Sequence, residues 1–281
     1  MAWFFRKRRA PELAVLEQEI LESTEDFSKG LKKKLNLLDF DCSWQLTKKL
    51  LPQVEKIKAR SLVRLLFADK TSELAKQLEN REKINHVIAC LEYLPSRETV
   101  EVLGSLLAHR DETIQLFAAG ALKNHTPRLV VPYLIEKLLN CEVPPARAGE
   151  VLLAMGHLAQ DALLEVYEQA KPQVQAQILE LLTLSHNPKC QSFLRPALQS
   201  EDPFVKKAAL QAVSTLAIGD LWSEVAVCLD DSAWQIRVKA LEVLTKLRAA
   251  EALETVRPLL EDEDPWVRKT AATFLEVLAL E

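Results

Sequence analysis

Glycine is scarce in this chain of 281 residues: six are present, where average usage of roughly 7% would give about three times as many. Gly30, Gly104, Gly120, Gly149, Gly156 and Gly219 are scattered singly, so no phosphate-cradling loop or dinucleotide fingerprint can be assembled from them. That argues against a nucleotide-dependent enzyme. The five cysteines, Cys42, Cys90, Cys141, Cys190 and Cys228, stand tens of residues apart, without the close spacing of a zinc knuckle or a dithiol motif. Their odd number and wide dispersion are read as buried, reduced thiols in a reducing compartment, which makes a cytoplasmic protein the expectation. No apolar run approaches the ~18 residues needed to cross a bilayer. The first basic cluster follows the only apolar residues at the start, the reverse of a secretory signal.

What is present is the composition of a folded chain: 48% hydrophobic and 27% charged residues, with a formal net charge of −4. That charge argues against a protein that grips nucleic acid through a large basic surface. The charge is unevenly placed. The first sixty residues carry 13 Lys and Arg against 9 acids, a net of +4 that leaves −8 for the remainder.

Self-comparison reveals a repeat. The segments Leu198 to Leu216, Leu229 to Leu247 and Leu260 to Leu278 align without a gap at a period of 31. Val205, Ile236 and Val267 share a column, as do Lys206, Arg237 and Arg268, then Ala209, Ala240 and Ala271, then Val213, Leu244 and Leu275. Backward steps of 31 and 30 reach Val174, Pro144, Ile114, Ile84 and Val54. The unit thus extends over most of the chain, with a degenerate or kinked middle copy whose helix begins near Pro145, Ala146 or Arg147.

Each unit reads as two amphipathic helices. An acidic or prolyl turn such as Glu201-Asp202-Pro203 supplies an N-cap oxygen and a pre-set φ, after which apolar residues recur at three- and four-residue spacing. A shorter second pattern follows, as in Cys190 to Leu198 and Ala252 to Leu260. Neither helix can bury its stripe alone, whereas stacked pairs share a continuous core. The small Ala209, Ala240 and Ala271, with Ala118 and Ala119 in an earlier unit, allow close helix approach. Pro132, Pro196 and Pro258 fall in or beside second helices, where they remove a hydrogen bond and bend the element.

The stretch Asp264-Pro265-Trp266-Val267-Arg268-Lys269-Thr270-Ala271-Ala272, echoed by Asp202-Pro203-Phe204-Val205-Lys206-Lys207-Ala208-Ala209, resembles the signature of HEAT repeats, particularly the short bacterial kind. The resemblance is good over residues 167–281 and detectable over 50–166. It implies an all-α fold: a right-handed α-α superhelix of helical hairpins, about seven to eight units of 30–31 residues over 50–281. It also implies a ladder between units built from turn aspartates and first-helix bases, with Asp264 beside Arg268, Asp231 beside Arg237 and Asp202 beside Lys206.

The function that the resemblance implies is a non-catalytic scaffold offering a curved surface to another protein. Candidate contact residues are Trp222, Trp234 and Trp266, which alternatively pack on neighbouring turns, and Tyr133 and Tyr167, for which a core role is the other reading. No catalytic residue, cofactor or metal ligand is assigned. His86, His109, His125, His157 and His186 are dispersed without a His-Glu pair, unlike HEAT-like deoxyhypusine hydroxylases, which hold iron on such pairs. Phycobilin lyase subunits are also similar in their repeats and supply the alternative reading, an enzyme or enzyme subunit of that kind. HEAT-like DNA glycosylases need a basic concave face that residues 61–281 do not offer.

Residues 1–10 form a basic and aromatic tail. Trp3, Phe4 and Phe5 followed by Arg6, Lys7, Arg8 and Arg9 suit either weak peripheral contact with the inner membrane face or a solvated tail. Over residues 11–49, Leu13, Leu16, Ile20, Phe27, Leu31, Leu35 and Leu38 indicate one or two amphipathic helices that either cap the first repeat or make a short coiled-coil contact with a partner.

Overall fold

The structure, a computed structural model, describes residues 2–279, with side chains from residue 12 onward. Among the described residues all regular structure is helical. The chain divides into two compact units, Met1–Lys137 with Glu142–Met155, and Leu138–Cys141 with Gly156–Glu281.

The first unit contains α1 (Ala2–Glu22), α2 (Lys29–Asn36), α3 (Phe40–Leu50), α4 (Lys56–Phe67), α5 (Thr71–Lys76), α6 (Ile84–Leu91), α7 (Arg97–Ser105), α8 (Glu112–Lys123), most of α9 (Pro127–Leu139) and α10 (Pro145–Ala154). Polar caps start several of them: the side chains of Ser28, Asp39, Ser96 and Asp111 accept backbone N–H bonds at the first turns of α2, α3, α7 and α8, satisfying donors that a helix start leaves free. The amphipathic N-terminal segment behaves as a cover. Ile20 and Leu35 are fully buried, and Leu13, Leu16, Phe27 and Leu31 nearly so, as α1 packs on α3 and α2 on α4. Lys58 fixes the end of α1 by donating to the carbonyls of Leu21 at 3.0 Å and Ser23 at 2.6 Å. Val54 departs from the expected register. It lies in the turn between α3 and α4, so the 30-residue step fails at this end because α4 starts later than the period predicts. The tail residues Trp3, Phe4, Phe5, Arg6, Lys7, Arg8 and Arg9 have their side chains outside the described residues.

The second unit contains α11 (His157–Val166), α12 (Pro172–Leu184), α13 (Gln191–Leu198), α14 (Pro203–Leu216), α15 (Trp222–Val227), α16 (Trp234–Leu247), α17 (Leu253–Val256) and α18 (Pro265–Ala279). It is a stack of helical hairpins, in keeping with an all-α solenoid. The long first helices α12, α14, α16 and α18 lie side by side, each packed on the next. Ala209, Ala240 and Ala271 are wholly buried, so the smallest side chains occupy the closest approach. The second helices are short or broken. Pro196 lies within α13, and Pro258 sits in a 3₁₀ turn, Arg257–Glu261, that follows α17; a prolyl ring at these points denies the helix a donor.

One feature of the repeat is carried by the backbone rather than by residue type. Gly156, His186, Ala217 and Arg248 all have positive φ, between 51° and 67°, and lie 30, 31 and 31 residues apart at the corner from first to second helix. At Ala217 and Arg248 the left-handed residue caps the first helix and turns the chain, whereas Gly156, with ψ −144°, stands at the N-cap of α11. Only the first is glycine, and an L-residue there costs ~1–2 kcal/mol. Ala217→Gly is therefore expected to raise stability by about 0.5–1 kcal/mol, read from urea unfolding, because alanine has no side-chain bond to offset its Cβ clash.

Candidate interaction surface

The ladder that the resemblance predicts is built, but between different partners. Asp202 does not pair with Lys206. It caps α14, accepting from the N–H groups of Phe204 at 2.9 Å and Val205 at 3.2 Å. Asp264 likewise caps α18, accepting from Trp266 at 2.8 Å and Val267 at 3.3 Å. The acids that receive the bases stand in the following hairpin, two residues ahead of its first helix's N-cap, Asp231 before Ala233 and Asp262 before Asp264. Lys206 is bonded to Asp231, and Arg237 grips Asp262 through Nε at 3.0 Å and Nη2 at 2.7 Å. Asp231 is thus Lys206's partner, not Arg237's; Arg237 donates Nη1 to the carbonyls of Asp231 and Ser232 at 2.9 and 3.3 Å. Arg268 repeats that posture on the carbonyls of Asp262 and Glu263 at 2.6 and 3.0 Å. Within one unit, cap and base sit on the same first turn and point apart; only stacking brings base and acid together.

At the same turns the chain leaves aromatic rings in water. Phe204 is 64% exposed, Trp234 39% and Trp266 60%. Phe204 and Trp266 occupy the same position of the repeat two periods apart, and Trp234 lies one residue short of it on the intervening helix. The apolar stripe turns the other way: Val205, Ala209 and Val213 on α14, and Val267 and Ala271 on α18, are buried. Lys269 lies over the Trp266 ring, 5.8 Å from its centre. Trp222, at the start of α15, is half-buried. The exposed member that sequence reading missed is Phe204, although it stands in the quoted motif; the signal was its shared column with Trp266.

The two candidate tyrosines have structural duties. Tyr167 is 5% exposed, packs on Phe193 with ring centres 4.7 Å apart, and burial pushes its hydroxyl up to about 12. A buried ring cannot anchor a partner, so the core alternative is the one realised. The adjoining cleft, lined by Tyr167, Phe193, Pro196 and Val205, measures about 280 Å³, below the ~300–1,000 Å³ usual for small-molecule sites. Tyr133 is half-buried in the first unit, its hydroxyl donating to the carbonyl of Glu101 at 3.3 Å. Its ring lies against Gly104: a Cβ at that position would fall 2.1 Å from Cε1 and 2.7 Å from Cζ. Gly104→Ala is therefore expected to cost about 1–3 kcal/mol, a penalty that shrinks in a Tyr133→Ala background when both are measured by chemical denaturation.

The first unit also brings together a histidine and a cysteine that the sequence left apart. His86 and Cys90 are four residues apart on α6, with Sγ 3.7 Å from Nε2, and the same nitrogen is 3.1 Å from Thr47 Oγ1. The Trp44 ring stands edge-on to the imidazole at 4.5 Å. Burial, with a smaller contribution from Lys48, drives His86 down to about 4, and burial pushes the Cys90 thiol up to about 12. A thiolate nucleophile needs the opposite shifts, so this pair is a packed polar contact. Cys42, Cys190 and Cys228 are also buried as expected; Cys141 departs from the expectation, being exposed in its left-handed turn after α9. Among the described residues no group of three or more His, Cys, Asp or Glu is placed to hold a metal ion.

A stack of helical hairpins joined by a base-to-acid ladder defines a helical-repeat protein. The family description "HEAT repeats" matches residues 161–227 and 223–279, and this part of the chain consists of HEAT repeats. A search of curated proteins finds no match. Among solved structures, the chain is similar to an engineered protein (TM-score 0.43, 16% identity, 95% of this chain and 88% of that one). It is also similar to an archaeal HEAT-like repeats protein from Thermococcus onnurineus NA1 (TM-score 0.42, 16% identity, 75% and 97%) and to human deoxyhypusine hydroxylase (TM-score 0.37, 14% identity, 95% and 98%). At identities of 14–16% none of these lends this chain an activity. No helix among the described residues is long and apolar enough to cross a membrane.

Proposed function

We propose that the chain is a non-catalytic scaffold that binds another protein through the first-turn edge of its second unit. The observation that carries this reading is the exposed row Phe204, Trp234 and Trp266. Aromatic side chains left in water forgo about 25 cal/mol for each Å² of apolar area that burial would recover, and aromatics of this kind form the anchors of protein interfaces. Of the bases on these turns, Lys206 and Arg237 are committed to the ladder, and the exposed rings supply affinity for a partner with an apolar or aromatic surface.

Affinity capture from the source organism tests it, with the native chain compared against a triple Phe204→Ala, Trp234→Ala, Trp266→Ala variant. All three rings are at least 39% exposed, so the variant is expected to keep its helicity while losing the captured protein. Equal recovery by both chains contradicts the proposal. So does covalent colour transfer when the protein is incubated with free bilin and an apo-phycobiliprotein, the outcome that the lyase reading requires. Cytoplasmic residence and weak membrane contact through residues 3–9 belong to the same proposal. Liposome flotation should be stronger for the full chain than for one lacking residues 1–10.

A further inference from the structure

Positive charge is concentrated in one stretch of the first unit. Residues 29–64 hold ten Lys and Arg against three acids, a net of +7 in a chain whose total is −4, so all other residues together carry −11. The three acids, Asp39, Asp41 and Glu55, sit at the starts of α3 and α4. Helices α2 and α4 themselves contain no acid: Lys29, Lys32, Lys33 and Lys34 lie on the first, and Lys56, Lys58, Arg60 and Arg64 on the second.

The two helices pack on each other and bury their apolar sides, Leu31 and Leu35 on α2 and Leu62, Val63 and Leu66 on α4. Left in water at four-residue spacing are Lys29, Lys33 and Leu37 on α2, and Lys56, Arg60 and Arg64 on α4. Part of this charge is used within the fold: Lys34 pairs with Glu19 at 2.7 Å, Lys32 with Asp26 at 3.6 Å, and Arg64 donates to the Tyr93 carbonyl at 3.3 Å. Lys29 and Lys33 make no ion pair or hydrogen bond among the described residues. Lys56 reaches Glu92 only at 3.9 Å, with its side chain 72% exposed. Like charges one helical turn apart repel, a cost that the fold by itself leaves uncompensated. Two aliphatic side chains stand among these bases, Leu37 at 78% and Ile57 at 55% exposed.

We propose that the basic stripes of α2 and α4 rest on an anionic phospholipid bilayer, with the bases against the lipid headgroups and Leu37 and Ile57 among them. Each base near such a surface adds attraction, and an aliphatic side chain adds more by leaving water. The residue types choose among anionic occupants. Single-stranded nucleic acid is held by rings that stack on its bases, and no exposed aromatic side chain lies on α2 or α4; leucine and isoleucine gain nothing from a phosphate backbone. The bases of α2 are all lysine, a point charge without the planar fork that matches a protein carboxylate, which suits a diffuse field of lipid charge. This surface goes beyond the contact proposed for residues 3–9 because it is built on folded helices, and either can fail without the other.

Cosedimentation with vesicles tests it, using the full-length chain and vesicles of phosphatidylcholine alone or mixed equally with phosphatidylserine. The chain is expected to bind the anionic vesicles and not the neutral ones, and to be released as salt is raised. Lys29→Gln with Lys33→Gln, and Lys56→Gln with Arg60→Gln, should each weaken binding, and the four together by about tenfold or more, with helicity unchanged because all four side chains are exposed. Lys171→Gln, Lys207→Gln, Lys246→Gln and Lys269→Gln together remove the same charge from exposed positions of the second unit and should leave binding nearly unchanged. A chain lacking residues 1–10 should still bind and should still respond to the four substitutions. Absence of binding, equal binding to both kinds of vesicle, or equal losses in the two fourfold variants overturns the proposal. So does loss of all binding on removal of residues 1–10, a result that leaves the tail contact standing alone. Tighter binding to an oligouridylate or to polyglutamate, abolished by the same four substitutions and not competed by anionic vesicles, overturns it in favour of a nucleic-acid or acidic-protein site.

Discussion

Truncating Leu244 to alanine is expected to lower the stability of the second unit by about 2–5 kcal/mol, whereas the same change at Leu275, one period on, should cost well under half as much. Both leucines occupy the same position of a first helix. Leu244 is fully buried because α16 has a neighbour on each side, and its removal leaves a cavity as well as losing the transfer energy of the side chain. Leu275 keeps part of its surface in water, so less is lost and no closed cavity forms. Urea unfolding followed by the fluorescence of Trp222, Trp234 and Trp266 measures both. Equal costs would mean that burial here is set within each hairpin rather than by its neighbours.

The second large effect concerns the ladder. Asp262→Ala is expected to destabilise by about 2–4 kcal/mol, because it strands a guanidinium whose side chain is only 8% exposed. Arg237→Ala should cost a similar amount, and the double variant much less than the sum, since the pair acts as one unit. The pair also sets a pH dependence. Burial by itself would raise the carboxyl of Asp262, but the bonds from Arg237 and from the Asp264 N–H outweigh it and hold the group below the usual carboxylate range. A carboxylate depressed in the folded state contributes stability that is fully present above its unfolded value, about 3.9, and is lost as pH falls through the folded value. The native chain should therefore lose stability below about pH 4, and Asp262→Ala should lose correspondingly less over that interval. Parallel pH profiles for the two would show that the bond does not form.

Much of this arrangement is legible in the sequence because it depends on spacing within one hairpin. The 31-residue columns, the buried alanines at 209, 240 and 271, the start of α10 at Pro145 and the prolines inside second helices all follow from local pattern. What escaped depends on stacking or on backbone conformation. Which acid receives Arg237 is decided by the neighbouring hairpin, so a search for pairs inside the unit selected Asp231 in place of Asp262. The left-handed corners at His186, Ala217 and Arg248 carry no glycine to announce them. Gly104 reads as an isolated glycine until the ring of Tyr133 is seen to need its missing Cβ, and Tyr167 admits both a contact and a core reading until Phe193 is seen to pack on it.

Deleting residues 218–248 removes one whole period, from the position after one left-handed corner to the next. If residues 31 apart are interchangeable, Ala249 takes the place of Ile218, Asp262 meets Lys206, and α18 packs on α14. Circular dichroism should then show undiminished helicity per residue and cooperative unfolding, whereas a deletion of 218–244, four residues out of step, should lose both. Equal collapse of the two deletions would contradict the repeat on which the whole arrangement rests.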